Sequence, residues 1–385
     1  MTRLPLADPA TTESIVAFRK RLHAHPELSG QEHETAQAVR TKLEDLKPDE
    51  LIAIGSTGLA AVFSGEESGP TVLLRSELDA LPIQEVNDFE HRSNVRGVSH
   101  KCGHDGHTAI LTGVAQKIAS NRITSGRLVL LFQPAEETGE GAKRVLADPA
   151  FEGIRPDYVF ALHNLPGCPA GVVVVKDGVF TAAVCTLILT FSGRTAHAAE
   201  PEHGRNPVYA ISEIVRLTRE MEQTDVASDA FTLITPVYLS VGDIAYGTAP
   251  GEGELHLTIR AWSNINLDRA VGDVIRAAER LALEQGLEID SERVAEFSAN
   301  VNDEEATRLI REAAKATGVT VQERLTPFKW GEDFGLFTER YRGAMFGIGA
   351  GVSHPALHNP DYDFPDEIIP GAVDLFERIA RQLLA

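Results

Sequence analysis

The amino-acid sequence predicts a two-domain α/β protein: a mixed-sheet α/β domain interrupted by a smaller, ferredoxin-like domain. Three observations lead to this prediction. A chain of 385 residues exceeds what a single hydrophobic core usually organises. Short apolar runs alternate with helix-like segments through the first 180 residues or so, as in α/β domains. From about Thr181 the order of elements changes, which indicates a second folding unit.

The N-terminal part provides the elements of the larger domain. Apolar residues at helical spacing predict two amphipathic helices, one carrying Ile15, Phe18 and Leu22 and the other over Thr35–Leu46. Short apolar runs bounded by Gly or Pro predict buried strands at Leu59–Phe63, Thr71–Leu74, Leu128–Phe132 and Tyr158–Leu162. Further helices are predicted at Gly106–Ser120 and Gly141–Asp148. Strands buried on both faces and separated by helices favour a parallel or mixed sheet.

The next segment has the order strand, helix, strand, strand, helix, strand. The predicted elements are Cys185–Phe191, Pro207–Met221, Phe231–Val241, Glu254–Trp262, Leu267–Gln285 and Leu287–Phe297. This βαββαβ order is typical of the split βαβ unit, which can fold by itself. We therefore predict an inserted domain at 180–294, with 1–179 and 295–385 forming the first domain, and a strand at Phe346–Gly349 within the returning part.

Charge and composition narrow the class of partner. The chain carries 36 Lys and Arg against 56 Asp and Glu, a net charge of −20 that repels phosphate backbones and anionic lipids, so neither nucleic acid nor a membrane surface is expected to bind. No apolar leader segment and no run of eighteen apolar residues occurs, so we expect neither export nor a membrane span. Three cysteines without tight spacing argue against a disulfide framework and favour the reducing cytoplasm.

The densest group of chemically active residues is the segment from His100 to His107. It contains Cys102, His104, Asp105 and His107 just before a predicted helix. Thiolate and imidazole are the ligands that zinc prefers. A single buried Cys or His is usually structural, but the coincidence of these groups in eight residues indicates a metal site.

Two adjacent carboxylates, Glu136 and Glu137, follow the strand Leu128–Phe132. Neighbouring residues that leave a strand point in different directions, so one carboxylate can bind a cation while the other carries a proton for metal-assisted hydrolysis. Taken alone, the pair would more often be a solvated helix start, stabilised by the helix dipole. Beside a metal site, it becomes a candidate acid–base pair.

Other candidate residues also stand where predicted strands end. His163 ends the strand Tyr158–Leu162, and His358 follows the strand Phe346–Gly349 through a glycine-rich turn. Asp79 follows Thr71–Leu74 and could hold a ligand imidazole by its second nitrogen. A lone His at a strand end is usually hydrogen-bonded to backbone and a lone Asp often caps a turn, so these residues carry weight only together.

Taken together, these segments resemble the M20 peptidase clan. The matching strings, in chain order, are CGHDGHTA, FQPAEE, ALHNLPG, GRTAHA, WGEDF and ALHNPDYDFPDE. Within the clan they are most similar to the amidohydrolase branch, which includes hippurate hydrolases, N-acetyl-diaminopimelate deacetylases and indoleacetyl-amino-acid hydrolases. The likeness extends over nearly the whole chain.

The resemblance implies a role for each matching residue. It implies that two divalent metal ions, whether zinc, manganese, cobalt or nickel, bind to a set of five ligands: Cys102, His104, Glu137, His163 and His358. Glu136 matches the general base, and Asp79 and Asp105 are expected to support the ligands from behind. His197, in the inserted domain, is expected to reach the active site of a neighbouring subunit, in a homodimer formed through that domain, and to polarise the scissile carbonyl.

The activity implied by the resemblance is hydrolysis of the amide bond of small N-acylated amino acids. Alternatives within the clan are dipeptidase, aminopeptidase and aminoacylase activity. Two others come from the residues themselves: Cys102 could be a thiol nucleophile with His104 or His107 as base, or the chain could bind zinc without catalysis. Chelation separates the thiol enzyme from the metalloenzyme, and substitution of Glu136 separates the enzyme from the non-catalytic protein.

The sequence departs from the family pattern at three places that bear on substrate choice. Glu77-Leu78-Asp79 replaces the usual Asp-Met-Asp, Gly247-Thr248-Ala249-Pro250 replaces an Asn-Val-Ile-Pro segment whose Asn can contact substrate, and Asn206 stands where Asp is common. Arg205 and Arg260 are the available candidates for binding a substrate carboxylate, although either could equally form a surface ion pair.

Overall fold

We analysed a computed structural model of the chain, which describes residues 9–384, with side chains from residue 12 onward. Residues 1–8, part of the N-terminal segment for which no leader is predicted, lie outside the described part, as does Ala385. The chain divides into two compact units. The first runs to Phe180 and also contains Asn300–Leu325 and the residues from Glu332 onward; the second comprises Thr181–Ala299 and Thr326–Gly331.

The described elements are as follows, in chain order. The helices are α1 (Pro9–Ala24), α2 (His33–Glu44), α3 (His104–Ser120), α4 (Gly141–Ala147), α5 (Val208–Met221), α6 (Asn264–Gln285), α7 (Glu304–Ala316), α8 (Gly335–Thr338) and α9 (Ile369–Leu383). The strands are β1 (Glu50–Ile54), β2 (Gly58–Ser64), β3 (Glu67–Glu77), β4 (Ser125–Gln133), β5 (Tyr158–Pro166), β6 (Val173–Val175), β7 (Gly178–Thr181), β8 (Ala183–Ser192), β9 (Ala196–His197), β10 (Thr232–Val241), β11 (Thr248–Ala249), β12 (Glu252–Ala261), β13 (Glu288–Phe297), β14 (Asn300–Asn302), β15 (Val321–Glu323) and β16 (Arg342–Gly351).

The first unit is built on an eight-stranded mixed sheet of order β1-β2-β4-β3-β5-β16-β6-β15. Its four central strands, β4, β3, β5 and β16, are mutually parallel. The edge of the sheet on the β4 side is antiparallel, through β2 and β1. The predicted mixed sheet is therefore confirmed, and the carboxyl ends of its parallel strands meet at one edge, where α/β domains usually bind ligands.

The core of the first unit explains why these segments adopt strands and helices. The strand runs at Leu128–Phe132 and at Val72–Leu74 are fully buried, as expected for strands of a sheet covered on both faces. Helix α3 packs against both α1 and α9 and is buried along most of its length. Burying each Val, Leu or Phe side chain contributes roughly 1.5–3 kcal/mol, so this layer fixes the position of the residues at the start of α3.

Helix α3 begins at His104, two residues before the predicted start at Gly106. The residue before it, Gly103, has φ +96°, a left-handed conformation that favours glycine. A Cβ at this position would also lie 2.5 Å from Asn164 Nδ2 and 2.7 Å from the Tyr362 hydroxyl. Gly103 thus allows the chain to turn sharply, which places His104 and Asp105 in the first turn of the helix.

The second unit has a four-stranded antiparallel sheet of order β10-β12-β8-β13, with α5 and α6 packed against it. The predicted βαββαβ order of long elements is present, with the short pair β9 and β11 in addition. Helix α6 starts three residues earlier than predicted because the Ser263 side chain accepts a hydrogen bond from the Asn266 N–H and caps the helix. Strand β10 lies at an edge of the sheet.

The limits of the second unit differ from the predicted 180–294. The unit extends to Ala299 and includes Thr326–Gly331, which the sequence analysis assigned to the first domain. The Ala182 N–H donates to the carbonyls of both Phe328 and Trp330. These contacts join segments far apart in the chain, so local patterns could not reveal them. In the part of the chain that the structure describes, no helix combines the length and apolar character needed to cross a bilayer.

Candidate metal centre

Six of the predicted site residues come together at the carboxyl edge of the large sheet. Cys102 and His104 lie at the start of α3, Glu136 and Glu137 follow β4, His163 is in β5, and His358 follows β16. Their ligand atoms form overlapping groups within 4.8 Å: Cys102 with His104 and His163, His104 with Glu136 and Glu137, and Cys102 with Glu137 and His358. Parallel strands that end at one edge therefore bring four distant segments into one cluster, which we call the metal-facing cluster.

Two of these residues, His104 and Glu137, face each other through atoms that make no hydrogen bond. His104 Nε2 lies 3.8 Å from Glu137 Oε1, and both atoms are buried without a hydrogen bond. Glu137 Oε1 is also 3.7 Å from Nε2 of His358. Buried polar atoms are nearly always satisfied in folded proteins, so an unpaired nitrogen and oxygen that converge on one point indicate a place for a ligand.

The surrounding charge favours a cation at this point. Burial raises the pKa of Glu137 to about 7, and the charge of Asp79 adds to the effect while His104 opposes it. Burial alone would lower the pKa of His104, but its contacts with Asp79 and nearby glutamates raise it to about 10. The shift at Glu137 comes mainly from burial, whereas the shift at His104 reflects the negative charge of the surrounding carboxylates. Imidazole, thiolate and carboxylate donors fit a divalent transition metal such as zinc.

The side chain of Glu136 is at least as buried as that of Glu137, and its carboxyl group binds a proton unusually tightly. Burial raises the pKa of its carboxyl group well above the usual range, and the charges of Glu332, Glu137 and Asp333 act in the same direction. Its Oε2 lies 3.9 Å from His104 Nε2. A carboxyl group with a raised pKa binds a proton tightly enough to take it from water and hold it for transfer.

The turn that carries Glu136 and Glu137 is stabilised by a hydrogen bond to a buried glutamate, Glu32. Ala135, directly before Glu136, has φ +52°, in the left-handed region that costs a non-glycine residue about 1–2 kcal/mol. Its N–H donates to Oε1 of the fully buried Glu32, whose other oxygen accepts from the Thr57 hydroxyl. The strained turn is therefore stabilised by a side chain from outside the sequence motif.

The geometry opposes Cys102 as a nucleophile. Its Sγ lies 3.4 Å from His163 Nε2, so a possible base is nearby. However, burial raises the pKa of the Cys102 thiol well above its usual range, and burial lowers that of His163 to about 3. Reactive cysteines have a lowered pKa and partial exposure. A metal ion would deprotonate this thiol directly, whereas His163 would not.

Asp79 contacts two residues of the metal-facing cluster, His104 and Glu137. The His104 ring nitrogen Nδ1 lies 2.8 Å from the Asp79 carbonyl oxygen and 3.3 Å from its Oδ1. The other carboxylate oxygen accepts hydrogen bonds from the Ser29 hydroxyl and from the Glu137 N–H. These contacts direct His104 Nε2 toward the cluster and fix the backbone of Glu137, the role of a carboxylate behind a metal ligand.

His107 has partners at both ring nitrogens. Its Nδ1 lies 2.7 Å from Glu77 Oε2, and its Nε2 accepts from the Asn164 N–H. The Asn164 side chain in turn donates to the Cys102 carbonyl and accepts from the Tyr362 hydroxyl. The longer side chain at Glu77, where the family has Asp, thus reaches His107. Asn164 and Tyr362 were missed as site residues, although both stand inside the motif strings.

A buried network around Arg75 lies beside Glu136. The guanidinium contacts Glu77 and lies 2.9 Å from Glu332 Oε1 and 2.6 Å from Asp333 Oδ1. Asp333 also accepts from the Gln133 side chain and the Ala142 N–H. The Glu332-Asp333 pair thus serves to hold Arg75 and the turn after β4. This pair stands in the WGEDF motif, but its role could not be predicted from the sequence.

Asp105 lies in a different network from the one expected. Its Oδ2 is 2.8 Å from His23 Nδ1 and 3.4 Å from Arg19 Nη1. Arg19 also pairs with Asp363 and Asp366, and His23 with Glu85. Asp105 therefore ties the first turn of α3 to α1, and its carboxylate hydrogen-bonds to Arg19 and His23 rather than to a side chain of the metal-facing cluster.

The remaining candidates belong to the second unit. His197 is exposed, and its Nδ1 accepts a hydrogen bond from the Ala199 N–H, so the neutral ring carries its proton at Nε2. Arg205 is exposed and donates to the Gly286 carbonyl. Arg260 is half-buried and donates to the Lys329 carbonyl; burial lowers its pKa, and no acidic partner lies within ion-pair distance among the described residues.

Comparison with known proteins places this geometry in a family. The profile of the peptidase family M20/M25/M40 matches residues 73–382. The chain is 30% identical over 378 residues to an N-acetylcysteine deacetylase of Bacillus subtilis strain 168, covering 97% of this chain and 98% of that one. It is 29% identical over 369 residues to a hippurate hydrolase of Campylobacter jejuni, covering 95% and 96%.

A solved structure also resembles this chain over nearly its whole length. A Bacillus subtilis protein described as a dinuclear metal-binding peptidase from the M20 family superposes with a TM-score of 0.83 at 28% identity, covering 98% of this chain and 99% of that one. Since the family profile spans most of the chain and the relatives align over nearly all of it, the chain belongs to peptidase family M20/M25/M40.

Proposed function

We propose that this protein is a two-metal amidohydrolase that cleaves the amide bond of small N-acylated amino acids. The observation that carries the proposal is the pair of buried, unpartnered atoms, His104 Nε2 and Glu137 Oε1, inside a cluster of thiol, imidazole and carboxylate donors. The relatives named N-acetylcysteine deacetylase and hippurate hydrolase support the substrate class, because each of those names specifies an N-acylated amino acid.

Five side chains would hold the metal ions. In this proposal they are Cys102, His104, Glu137, His163 and His358. Three of them, Cys102, His104 and Glu137, each belong to two of the overlapping groups, which would suit two neighbouring ions. Bound divalent cations supply Lewis acidity, polarising a carbonyl oxygen and lowering the pKa of a bound water from 15.7 toward about 7. The dinuclear description of the solved relative supports two ions rather than one.

Glu136 would move the proton between water and the leaving amine. Its carboxylate accepts a proton from the attacking water, and the buried negative charges around it help to retain that proton. The protonated carboxyl group then donates to the amine nitrogen as the amide bond breaks. The fixed turn at Ala135 keeps this carboxyl group next to the ligand Glu137.

Hydrolysis of a substrate panel by the purified, metal-loaded protein tests the proposal. N-acetyl, N-benzoyl and N-indoleacetyl amino acids would be compared with dipeptides, with and without a chelator. Glu136→Gln should lower kcat by about 10²–10⁴-fold while the metal content stays at the wild-type level. Glu140→Gln, which changes a half-exposed glutamate in the same segment, is the matched control. Chelator-resistant turnover, or full activity of Glu136→Gln, would disprove the mechanism.

The second unit contributes two further parts of the proposal. His197 would donate from Nε2–H to the scissile carbonyl in the active site of a partner subunit, within a homodimer formed through this unit. The exposed apolar side chains of Val237, Tyr238 and Leu239 on the edge strand β10 support such a dimer, because large exposed apolar residues are typical of interfaces. A fully active monomer in sedimentation and turnover measurements would contradict the role of His197.

Arg260 is the candidate we propose for the substrate carboxylate. Its half-buried guanidinium donates to a backbone carbonyl and pairs with no carboxylate among the described residues, whereas Arg205 is exposed at the end of α6. Arg260→Ala should raise KM for N-acetyl amino acids and leave KM unchanged for their carboxamides; equal effects on both would rule out this contact. The free thiols of all three cysteines are consistent with a reducing cytoplasmic compartment, which we include in the proposal.

A further inference from the structure

Lys101, the residue before the ligand candidate Cys102, is fully buried. Buried lysines are rare unless paired, and the ammonium group of Lys101 donates three hydrogen bonds. Nζ donates to the Glu85 carboxylate, to Asn87 Oδ1 at 3.0 Å and to the Tyr362 carbonyl at 2.6 Å. Three protons thus meet three acceptors from two separate loops.

These loops are joined around Lys101. The first, residues 85–87, lies beside the second, residues 358–362, through two bonds besides those to the ammonium group. The Val86 N–H donates to the Pro360 carbonyl, and the Asn87 side chain donates to the Asp361 carbonyl at 3.0 Å. Glu85 is held in addition by His23 and by the Ser93 N–H. The ammonium group of Lys101 therefore links residues 358–362 to residues 85–87, which are themselves held by other hydrogen bonds.

The second loop begins with the most exposed ligand candidate. The side chain of His358 is 52% exposed, and its backbone has φ +64°, a left-handed conformation that is unfavourable for residues other than glycine. The His358 N–H donates to the Lys101 carbonyl at 2.7 Å. Lys101 thus holds this strained loop at both ends, by its carbonyl at His358 and by its ammonium group at Tyr362.

The contacts close into a ring around Cys102. The Tyr362 hydroxyl donates to Asn164 Oδ1 at 2.7 Å, and Asn164 Nδ2 donates to the Cys102 carbonyl at 2.8 Å. Cys102 follows Lys101 in the chain, so a path of hydrogen bonds leads from the lysine ammonium group through Tyr362 and Asn164 back to the next residue. The two residues whose backbones this ring fixes, Cys102 and His358, belong to one candidate ligand group with Glu137.

We propose that Lys101 is a positioning residue for the metal centre, which holds Cys102 and His358 at the separation that one metal ion requires. The inference rests on the proposed two-metal function. Groups behind metal ligands typically contribute about 10–100-fold to metal affinity. The Lys101 ammonium group binds Glu85, Asn87 and Tyr362 rather than a ligand candidate. Its effect would therefore pass through Cys102 and His358 and would fall mainly on an ion that both of them bind.

Cobalt titration of the full chain tests this role. Wild type, Lys101→Met and Lys117→Met would be freed of metal and titrated with Co²⁺ against a chromophoric chelator, and the thiolate-to-cobalt absorption in the near ultraviolet would report on Cys102. Lys117 is the matched control, because it is another lysine of the same unit that pairs with two carboxylates, Asp374 and Glu377, on α9. Unfolding by urea measures the stability of each variant.

We expect Lys101→Met to bind one of two cobalt ions about 10–100-fold more weakly, with reduced thiolate absorption at equal occupancy. Lys117→Met should lose stability and keep wild-type affinity and absorption. Wild-type cobalt binding by Lys101→Met would overturn the inference, as would an equal loss in both lysine variants, which would show general loosening. A wild-type protein that binds fewer than two ions would instead overturn the proposed two-metal function.

Tyr362→Phe provides a test that keeps every buried charge, in case Lys101→Met does not fold. It removes the hydroxyl bond to Asn164 and leaves the Tyr362 carbonyl in place for Lys101. A lost hydrogen bond of about 1 kcal/mol corresponds to roughly a fivefold weaker affinity for one cobalt ion. Wild-type affinity and absorption in Tyr362→Phe would show that the ring does not position Cys102.

Discussion

Two kinds of buried polar cluster adjoin the carboxyl edge of the large sheet, and they differ in how their atoms are paired. The metal-facing cluster brings carboxylates, imidazoles and a thiol together and leaves His104 Nε2 and Glu137 Oε1 without a hydrogen bond. In the networks around Arg75 and around Arg19, cations and carboxylates lie within ion-pair distance of one another. The Arg75 network is fully buried, whereas Asp363 and Asp366 in the Arg19 network are partly exposed. We call these two the closed networks.

The difference separates residues that would bind a metal ion from residues that stabilise the fold around them. A buried polar atom without a hydrogen bond costs about 1–3 kcal/mol of folding free energy. The metal-facing cluster therefore needs support from the rest of the fold, and a bound ligand would satisfy its unpaired atoms. In a closed network the charged groups face opposite charges, which adds rigidity, although one carboxylate oxygen of Asp105 makes no hydrogen bond. If this distinction is correct, changes in the closed networks should reduce stability, whereas changes in the metal-facing cluster should reduce metal binding.

The largest expected effect is the loss of Arg75. Arg75→Met would leave Glu77, Glu332 and Asp333 buried without their common counter-charge. Removing one partner of a buried ion pair costs about 3–5 kcal/mol, so the free energy of unfolding measured with urea should fall by about that amount. Arg122→Met is the control: Arg122 pairs with Asp49 at the surface, where a pair contributes at most about 1 kcal/mol.

A loss of less than about 1 kcal/mol in Arg75→Met would contradict the description of this network as closed. It would mean that water or rearranged side chains satisfy the three acids without the arginine. Because the metal-facing cluster has like charges of its own, the same measurement on metal-loaded protein shows whether bound metal offsets the loss.

The second effect is a dependence of stability on pH that comes from the Arg19 network. Burial alone would lower the pKa of His23, but hydrogen bonds with Asp105 and Glu85 raise it to about 9. A pKa raised in the folded state means that the folded protein binds more protons, so His23 stabilises it fully below about pH 6.5 and loses this contribution as the pH rises through 9. The metal-loaded wild type should therefore become less stable between pH 7 and pH 9.5, by an amount on the order of 2 kcal/mol.

His23→Gln should largely remove this slope, because glutamine can keep hydrogen bonds but does not titrate. Melting temperatures of both proteins, recorded across this pH range at constant metal occupancy, give the comparison. If the two slopes are the same, the titration of His23 is not linked to folding and the Arg19 network is weaker than its distances indicate.

The sequence could predict the metal-facing cluster better than the closed networks, for a physical reason. Cys102, His104 and His163 are recognisable by residue type, and strand periodicity predicts that their segments end at one edge of a sheet. The partners of Arg19 and Lys101 come from loops far away in the chain, and their charges follow no periodic pattern. Asp105 shows the consequence: it stands inside the metal-binding motif, yet its carboxylate pairs with His23.

The domain limits illustrate the same point. The helices and strands of the second unit follow from apolar spacing, whereas the joining of Thr326–Gly331 to it depends on backbone hydrogen bonds from Ala182. Likewise, the use of Glu77 to hold His107 depends on one methylene group, and only the folded geometry shows which partner the longer side chain reaches.

The smallest expected effect compares two aspartates that frame the start of α3, Asp79 and Asp105. Both are buried, and both lie within 3.3 Å of a histidine ring nitrogen, but Asp79 holds the ligand candidate His104 whereas Asp105 holds His23. Asp79→Asn should lower metal affinity about 10–100-fold, equivalent to roughly 1.4–2.7 kcal/mol, because it weakens the orientation of His104 and the contact with the Glu137 N–H. Asp105→Asn should leave metal affinity unchanged and reduce the free energy of unfolding. Competition with a chromophoric chelator measures the first quantity, and urea unfolding of the metal-free proteins measures the second. The reverse result would be loss of metal affinity in Asp105→Asn and wild-type affinity in Asp79→Asn. It would mean that hydrogen-bond pairing does not distinguish residues that support metal binding from residues that stabilise the fold. Closeness in sequence to the candidate ligands would then be the better predictor of an effect on metal affinity.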